Sequence, residues 1–395
     1  MSKFWINVTT SCNLACSYCY QNNRSNSMLL DKNADKVIDV ILKSEDDAHD
    51  IFFFGGEPLL NFSSLKYINS KLRGKTRAQL NYSMTTNLTI LTNEMIDFIC
   101  DNNINVCISI DGDETSHTLN RYDANGDINY FRITINNLKK ILDRGHKKVN
   151  ILKVLTLNNY QSYYDDMVFL SKFNCQIVVN LDENLDKALA NQSPEEIGFS
   201  IEKYKYEMKR IFLYFINKSE EIGNFTYVYD LKERFKGLFY DDFSKVGKDN
   251  ALRCCTNLDN VYINCNTNGN FSPCHYIDEK SDTILSNYVY ENHDELIESI
   301  VKDKNLREFS ESEKLCYITK KQISSKCGIC KYRDSCLHDF YYESNNLCYY
   351  NRLRHRLSTE IQARHISSYC MKRDMLDMVF ECVNEGSASI NDLLK

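Results

Sequence analysis

The chain has 395 residues, of which 43% are hydrophobic and 26% charged, and its formal net charge at pH 7 is −6. A chain of this length and composition can bury the cores of two or three domains, and its acidic balance argues against a broad nucleic-acid-binding surface. No apolar run approaches the roughly 20 residues that cross a bilayer, and the N-terminal residues lack the apolar stretch of a signal peptide. We therefore expect a cytoplasmic protein with no membrane or nucleic-acid partner.

Short apolar runs alternate with amphipathic segments through the first half of the chain. The runs predict six strands, at residues 4–8, 50–54, 80–85, 106–110, 149–155 and 176–180. Helical periodicity predicts helices between them, at residues 31–43, 63–72, 92–100, 131–144 and 160–173. Six strands that alternate with helices form a parallel sheet and fit an incomplete barrel better than a closed eightfold one. We predict an α/β fold with a partial (β/α)6 TIM-like barrel over residues 1–182, and functional loops at the carboxyl ends of its strands.

The chain contains 17 cysteines, which are concentrated in two regions. Three lie within residues 12–19, and nine lie within residues 254–348. Because the cytosol keeps thiols reduced, a cysteine-rich cytosolic chain more often binds metal than forms disulfides. The distribution predicts two metal-bearing regions.

The first cysteine group, Cys12, Cys16 and Cys19, directly follows the first predicted strand. Thiolates at this spacing can bind three irons of a [4Fe–4S] cluster and leave the fourth iron open. A zinc site or three incidental thiols are the alternatives, although structural zinc usually has four ligands and no fourth lies nearby. The segment CNLACSYCY resembles the signature of the radical S-adenosylmethionine (SAM) superfamily. The resemblance implies that SAM binds the open iron, that a cluster electron splits it to methionine and a 5′-deoxyadenosyl radical, and that Tyr18 packs by the adenine.

Two further segments follow the second and third predicted strands. The sequence Gly55-Gly56-Glu57-Pro58 combines glycines, which let the backbone approach a ligand, with a proline that restricts the turn. It could be an ordinary turn, but it resembles the superfamily segment that binds the SAM amino group. Thr85-Thr86-Asn87 resembles a turn of the same family, with Leu88 in place of a glycine, and Asn87 is included among the cofactor-binding candidates.

The fourth predicted strand leads into the sequence CISIDGDETSHTLNR. A hydroxyl on the strand and a guanidinium in the following loop suit a hydroxyl and a carboxylate partner. A similar stretch in radical SAM peptide-modifying enzymes implies that Ser109 and Arg121 contact the ribose and carboxylate of SAM. Without that resemblance, a surface salt bridge would be the favoured interpretation of Arg121. We expect His117 to be a structural hydrogen-bonding residue.

The second cysteine group follows a helical connecting region, predicted at residues 183–249. Residues 250–350 contain a predicted hairpin with a two-residue Asn268-Gly269 turn. Gly269-x4-Cys274 resembles the opening of the SPASM domain, which carries auxiliary iron–sulfur clusters. Cys327, Cys330, Cys336 and Cys348 match the second half of that pattern, which implies one complete [4Fe–4S] cluster. A zinc ribbon is the alternative, because CxxC pairs bind both metals.

The auxiliary region departs from the SPASM pattern at one position. Phe340 occupies the place of a cysteine that would bind the first auxiliary cluster. Cys255 and Cys274 fit the motif of that cluster. The candidates for compensating ligands are Cys254, Cys265 and Cys316. The first auxiliary cluster could have unusual ligands, an open iron, or be absent. A C-terminal helical segment is predicted at residues 351–395.

The resemblance implies an enzyme that modifies peptides. The segment PCHYI resembles maturases that form thioether bonds in ribosomally made peptides, and His275 is the candidate catalytic residue. Sulfatase-maturating enzymes, which oxidise cysteine or serine to formylglycine, have an acidic residue at that place and are the alternative, as is a carbon–carbon crosslinking maturase. A metal-stabilised binding module without catalysis is the third possibility.

The implied partners are a precursor peptide that contains cysteine and a reductant such as flavodoxin or ferredoxin. Thioether-forming maturases often carry a leader-binding domain of winged-helix type before the barrel. Because the first cluster cysteine is residue 12, we expect no such domain upstream. Leader recognition is then expected elsewhere in the chain or on a separate protein.

Overall fold

Strands with alternating apolar side chains form a parallel sheet at the centre of the protein. A computed structural model describes residues 2–19, 21, 26–123, 129–182, 203, 206–211, 213–214, 256–257 and 260–272. The first six strands are β1 (Ser2–Thr9), β2 (Ala48–Gly55), β3 (Gln79–Thr86), β4 (Asn105–Ser109), β5 (Val149–Leu155) and β6 (Gln176–Leu181). They pair in parallel in the spatial order β6-β5-β4-β3-β2-β1. The predicted six-strand parallel sheet is confirmed.

The helices connect successive strands, as the amphipathic segments predict. They are α1 (Asp31–Lys43), α2 (Phe62–Leu72), α3 (Asn93–Asp101), α4 (Glu114–Asn120), α5 (Tyr130–Asp143) and α6 (Tyr163–Ser171). Short 3₁₀ turns, Pro58–Asn61 and Tyr160–Ser162, precede α2 and α6. The short helix α4 was not predicted, because its sequence ETSHTLN lacks an apolar stripe. Its start is stabilised by the Asp113 side chain, which accepts a hydrogen bond from the Ser116 amide at 2.9 Å.

The hydrophobic core lies between the sheet and the helices. Phe4, Ile6 and Val8 occupy every second position of β1 and are fully buried there. The intervening positions lie on the opposite face of the sheet, where Trp5 packs on Phe52 with ring centroids 4.6 Å apart. None of the described helices is long and apolar enough to cross a bilayer.

A seventh parallel strand, β8, comes from the second half of the chain. The strands β7 (Thr256–Asn257), β8 (Asn260–Cys265) and β9 (Phe271–Ser272) are antiparallel neighbours, and β8 also pairs in parallel with β1. The hairpin of β8 and β9 was predicted, but its pairing with β1 was not. The predicted two-residue turn was wrong: the Asn266 amide donates to the Asn270 carbonyl at 2.8 Å, which leaves residues 267–269 as a three-residue loop. Gly269 has a φ of +79°, the left-handed conformation that such a loop requires.

Much of the remaining sequence lies outside the described residues, including positions 273–350 of the predicted region 250–350 and all of the predicted segment 351–395. In the connecting region, residues 203, 206–211, 213 and 214 are helical. Met208 and Ile211 join the hydrophobic core, and the buried carboxylate of Glu207 accepts a hydrogen bond from the Tyr164 amide at 3.1 Å. This helical segment therefore packs beside α6.

Candidate active site

The described candidate residues, apart from Cys265, lie at the carboxyl edge of the parallel sheet. The cysteine loop, defined here as residues 10–19, leaves the end of β1 at this edge. Its backbone is held by the end of α4, because the Ala15 and Ser17 amides donate to the carbonyls of Tyr122 and Asn120 at 2.6 and 2.9 Å. Side chains that are scattered in the sequence meet here because parallel strands end at the same edge.

The three thiols of the cysteine loop are half-buried and free of disulfides. Burial raises the pKa of Cys16 to about 11, although the positive charge of Arg121 opposes the shift. In the described part of the chain, no three His, Cys, Asp or Glu side chains lie close enough together to hold a single metal ion. The donor set is three thiols in one loop, which is the chemistry that iron–sulfur clusters use.

The Cys12 thiol also has a hydrogen-bond donor beside it. The side-chain amide of Asn87 lies 3.7 Å from Cys12 Sγ and donates to Asn13 Oδ1 at 3.1 Å. The Asn87 oxygen accepts from the amide and hydroxyl of Thr89 at 3.0 and 2.7 Å, which orients the side chain. Amide donors of this kind tune cluster ligands, so the surroundings of Cys12 fit a cluster-binding thiolate.

The glycine pair after β2 packs against the cysteine loop. The amides of Gly56 and Glu57 donate to the carbonyls of Thr9 and Ser11, both at 2.8 Å. A Cβ atom on Gly55 would lie 2.1 Å from the Thr9 oxygen, and one on Gly56 would lie 2.1 Å from the Ser11 oxygen. The close backbone approach that the glycines predicted is therefore made, in this structure, to the cysteine loop.

The side chain of Glu57 forms hydrogen bonds within the protein. Its carboxylate is almost fully buried and accepts hydrogen bonds from the Thr86 hydroxyl at 2.6 Å and from the Asn87 amide at 2.7 Å. Burial raises the pKa of Glu57 to about 7 against the opposing effect of these bonds. Glu57 thus joins the end of β2 to the end of β3, a role that sequence reasoning did not assign to it.

The residue after Asn87 has an unusual backbone conformation. Leu88 has a φ of +55°, a left-handed conformation that is uncommon for a leucine and costs about 1 kcal/mol. Its amide donates to the Thr86 hydroxyl at 2.9 Å, its carbonyl accepts from Asn137 at 3.0 Å, and its side chain is fully buried. The turn therefore keeps its shape although it lacks the glycine of the family pattern.

The candidates after β4 form a buried group around Asp111. Arg121 is 6% exposed and pairs with Asp111 through Nε at 3.0 Å and Nη2 at 3.3 Å, so the alternative of a surface salt bridge is wrong. The Tyr18 hydroxyl donates to Asp111 at 2.7 Å, and the Arg121 guanidinium lies 5.2 Å from the Tyr18 ring centre. Ser109 is buried at the end of β4. Sequence reasoning missed Asp111, although its place just after a strand end was a usable signal.

The His117 side chain does not form the hydrogen bonds that we expected from the sequence. The imidazole is 1% exposed, packs edge-to-face on Phe131 at 5.5 Å, and neither ring nitrogen has a hydrogen-bond partner among the described residues. Burial, together with the charge of Arg121, lowers the pKa of His117 to about 3. The prediction of a structural hydrogen-bonding residue was wrong, since the ring contacts an aromatic side chain instead.

The auxiliary candidates are almost all outside the described residues, namely Cys254, Cys255, Cys274, His275, Cys316, Cys327, Cys330, Cys336, Phe340 and Cys348. Cys265 is described, and its side chain is fully buried in the core beside α1. Its Sγ lies 3.6 Å from the Asn266 carbonyl, and burial raises the pKa of this thiol to about 12. This position argues against Cys265 as a compensating cluster ligand.

Comparison with known proteins agrees with this geometry. The pattern of the radical SAM superfamily matches residues 6–165. The radical SAM cyclopropyl synthase TigE of Paramaledivibacter caminithermalis is 28% identical over 45% of this chain and 40% of its own length. A cysteine-type anaerobic sulfatase-maturating enzyme of Clostridium novyi is 27% identical over 75% of this chain and 83% of its own. The structure of anSMEcpe with bound AdoMet has the same fold, with a TM-score of 0.70 and 17% identity over 100% of this chain and 98% of that one. Residues 6–165 are therefore a radical SAM domain.

Proposed function

We propose that the protein is a radical SAM enzyme that cleaves SAM reductively and modifies a ribosomally made peptide. The observation that carries this proposal is the cysteine loop, because its three thiols lie at the sheet edge where Asn87, Asp111 and Arg121 converge on it. The matched segment spans less than half of TigE, so the activity of the whole protein is inferred from the site. By their names, the two relatives reported above are a radical SAM cyclopropyl synthase and an anaerobic sulfatase-maturating enzyme.

The described candidate residues have proposed parts in holding the cofactors, and the Tyr18 ring packs by the adenine of SAM. Cys12, Cys16 and Cys19 bind the cluster, and Asn87 orients Cys12. When bound, the cluster and SAM supply a 5′-deoxyadenosyl radical that can abstract a hydrogen atom from a substrate. Arg121 and Ser109 contact the carboxylate and ribose of SAM. The backbone of 55–58 contacts its amino group, since the Glu57 side chain is directed away to β3.

The first prediction tests SAM cleavage. Anaerobic protein with SAM and a strong reductant should form 5′-deoxyadenosine, and Cys16→Ala should abolish this because it removes a cluster ligand. The matched control is Cys100→Ala, which removes a half-buried thiol on α3 outside the cysteine loop. Near-normal 5′-deoxyadenosine formation by the Cys16→Ala variant would contradict the assignment of Cys16 as a cluster ligand.

For the peptide reaction we propose a thioether crosslink. The support is the PCHYI segment and its His275. Hydrogen abstraction forms 5′-deoxyadenosine, and bond closure by a substrate thiolate releases one electron, which an auxiliary cluster would accept. The product is then two hydrogens lighter and resists alkylation at one cysteine per crosslink. A fully alkylatable product of that mass would indicate carbon–carbon coupling.

A second candidate is oxidation of a cysteine or serine to formylglycine. It is favoured by the similarity to the sulfatase-maturating enzyme of Clostridium novyi, which covers 75% of this chain. The two reactions differ in product: an aldehyde that reacts with hydrazine probes would support this candidate and contradict the thioether. Mass spectrometry of a treated cysteine-containing peptide separates them.

We also propose the auxiliary region and the partners that the sequence implied. Cys327, Cys330, Cys336 and Cys348 bind one [4Fe–4S] cluster, and Cys255 with Cys274 contribute to another. A precursor peptide is the substrate, a flavodoxin or ferredoxin is the reductant, and leader recognition is assigned to another part of this chain or to a separate protein. The domain arrangement is 1–182, 183–249, 250–350 and 351–395.

A further inference from the structure

One buried carboxylate connects the cysteine loop to two other elements of the sheet edge. Asp111 is 0% exposed and follows β4 by two residues. Besides Tyr18 and Arg121, its carboxylate accepts a hydrogen bond from the Val154 amide of β5 at 3.0 Å. These partners are 93, 10 and 43 residues away in the chain. Asp111 therefore bridges the cysteine loop, the end of α4 and β5.

The charges around Asp111 are balanced within the protein. Although burial opposes ionisation, Arg121 beside it lowers the pKa of Asp111 below its ordinary value, so the group is a carboxylate at neutral pH. Lys153 is fully buried, bonds to Asp166 at 2.8 Å and also donates to the main-chain oxygen of Asp111. Two cations thus face two carboxylates. Buried ion pairs resist rearrangement, because any move leaves a charge without a partner.

We propose that Asp111 is a positioning residue of the SAM site, which fixes the Arg121 guanidinium and the Tyr18 ring relative to the cysteine loop before SAM binds. This inference rests on the proposed function. An arginine side chain has many rotamers, and a site that must order it on binding loses affinity. Asp111 engages the Nε and Nη2 atoms of Arg121, while Nη1 lies outside the pair. The guanidinium is therefore held in one orientation.

A purely structural role for Asp111 would also make its replacement destabilising, so the test needs a matched control. Asp166 provides it, since it is a buried carboxylate of the same charge group that contacts Lys153 and Ser162. Both Asp111→Asn and Asp166→Asn remove one buried charge. Only Asp111→Asn weakens the hold on Arg121 and Tyr18.

The second prediction concerns SAM affinity in these variants. With cluster-loaded protein, SAM is titrated against the electron paramagnetic resonance signal of the reduced cluster, and cluster absorbance and thermal unfolding are recorded. We expect Asp111→Asn to raise the apparent Kd and the KM for SAM about tenfold with little change in kcat, because ordering of one side chain shifts affinity by about this factor. Asp166→Asn should lower stability and leave the SAM affinity at the wild-type value.

Two outcomes overturn the inference: wild-type SAM affinity in Asp111→Asn, or an equal loss of affinity in Asp166→Asn. If the Asp111→Asn variant does not bind a cluster, the Tyr18→Phe variant provides the test instead. This substitution removes only the hydroxyl that donates a hydrogen bond to Asp111. We expect Tyr18→Phe to weaken SAM binding about threefold, and unchanged affinity contradicts the inference. Absence of 5′-deoxyadenosine with the wild-type protein would instead contradict the proposed function.

Discussion

At the scale of single residues, burial and the neighbouring charges together determine the ionisation state of the groups near the site. Glu57 and Asp111 are both buried carboxylates, but only Asp111 has an arginine in direct contact. Burial acts to raise the pKa of both carboxylates. The pKa of Glu57 is raised, but at Asp111 the charge of Arg121 opposes burial and the pKa is lowered. His117, with no hydrogen bond to its ring among the described residues, is held neutral. The charge at each position therefore follows from its neighbours.

The third prediction follows from His117. Its pKa is about 3 in the folded protein and 6.5 ordinarily, so as the pH falls through 6.5 the unfolded chain binds a proton that the folded protein does not. The stability that the neutral ring contributes is present above pH 6.5 and is lost as the pH falls toward 3. Between pH 7.5 and 5.5 this group should lower the free energy of unfolding by about 1.4 kcal/mol.

Urea unfolding of cluster-free protein at these two pH values measures the effect. His117→Leu should lose about 1.4 kcal/mol of the pH dependence, since leucine does not titrate. Thr115→Ala, on the exposed side of the same helix, is the control and should keep it. A variant His117→Leu with the full wild-type pH dependence would show that another group is responsible.

At the scale of elements, the site depends on how closely the loops at the strand ends pack. Gly55 and Gly56 bring the end of β2 against the backbone of the cysteine loop, and Glu57 ties the end of β3 to the same place. The backbone contacts at Gly55 and Gly56 leave no space for a side chain there, whereas the end of β3 is joined through the Glu57 carboxylate. The geometry of the cysteine loop is set by the loops next to it.

The fourth prediction tests this packing with Gly56→Ala. The added Cβ would lie 2.1 Å from the Ser11 oxygen, so the backbone of the cysteine loop must move. We expect the loss of up to about four irons, those of the cysteine-loop cluster, and a corresponding loss of SAM cleavage. Gly74→Ala is the control: Gly74 has a φ of +72° and no atom near an added Cβ, so it should cost about 1 kcal/mol of stability and leave the iron content unchanged. Full iron content in Gly56→Ala would mean that the loop tolerates the shift.

At the scale of the whole molecule, the second half of the chain completes the sheet of the first. β8 pairs with β1, and the hairpin loop contacts α1 through a hydrogen bond from Asn33 to the Thr267 carbonyl at 2.9 Å. The radical SAM domain at residues 6–165 is therefore bordered by a strand from the proposed auxiliary region. Iron binding by the two regions can be tested separately, because their cysteines are different.

The fifth prediction uses this separation. A variant with Cys12, Cys16 and Cys19 all replaced by alanine should still bind iron and sulfide anaerobically, with about four irons for each auxiliary cluster. Further replacement of Cys327 and Cys330 should remove the iron of one cluster. Zinc without sulfide in the triple variant would favour a zinc ribbon and contradict the auxiliary clusters.

The sequence by itself determined the six strands of the first half, their parallel arrangement and the residues that follow their carboxyl ends. It could do so because strand periodicity and strand-end position are local properties of the chain. Helix α4 was not predicted from the sequence, because a helix of seven residues without an apolar stripe has little recognisable periodicity. The cysteine spacing was also sufficient to indicate the cysteine loop as a candidate cluster site.

Only the tertiary structure decided which side chains meet. Asp111 accepts a hydrogen bond from Tyr18, which is 93 residues away in the chain, and no local sequence pattern predicts that contact. Cys265 lies in the hydrophobic core because the register of β8 on β1 places it beside Ile6. In a strand, neighbouring side chains point to opposite faces, so the face that a residue occupies depends on a pairing made across the whole molecule.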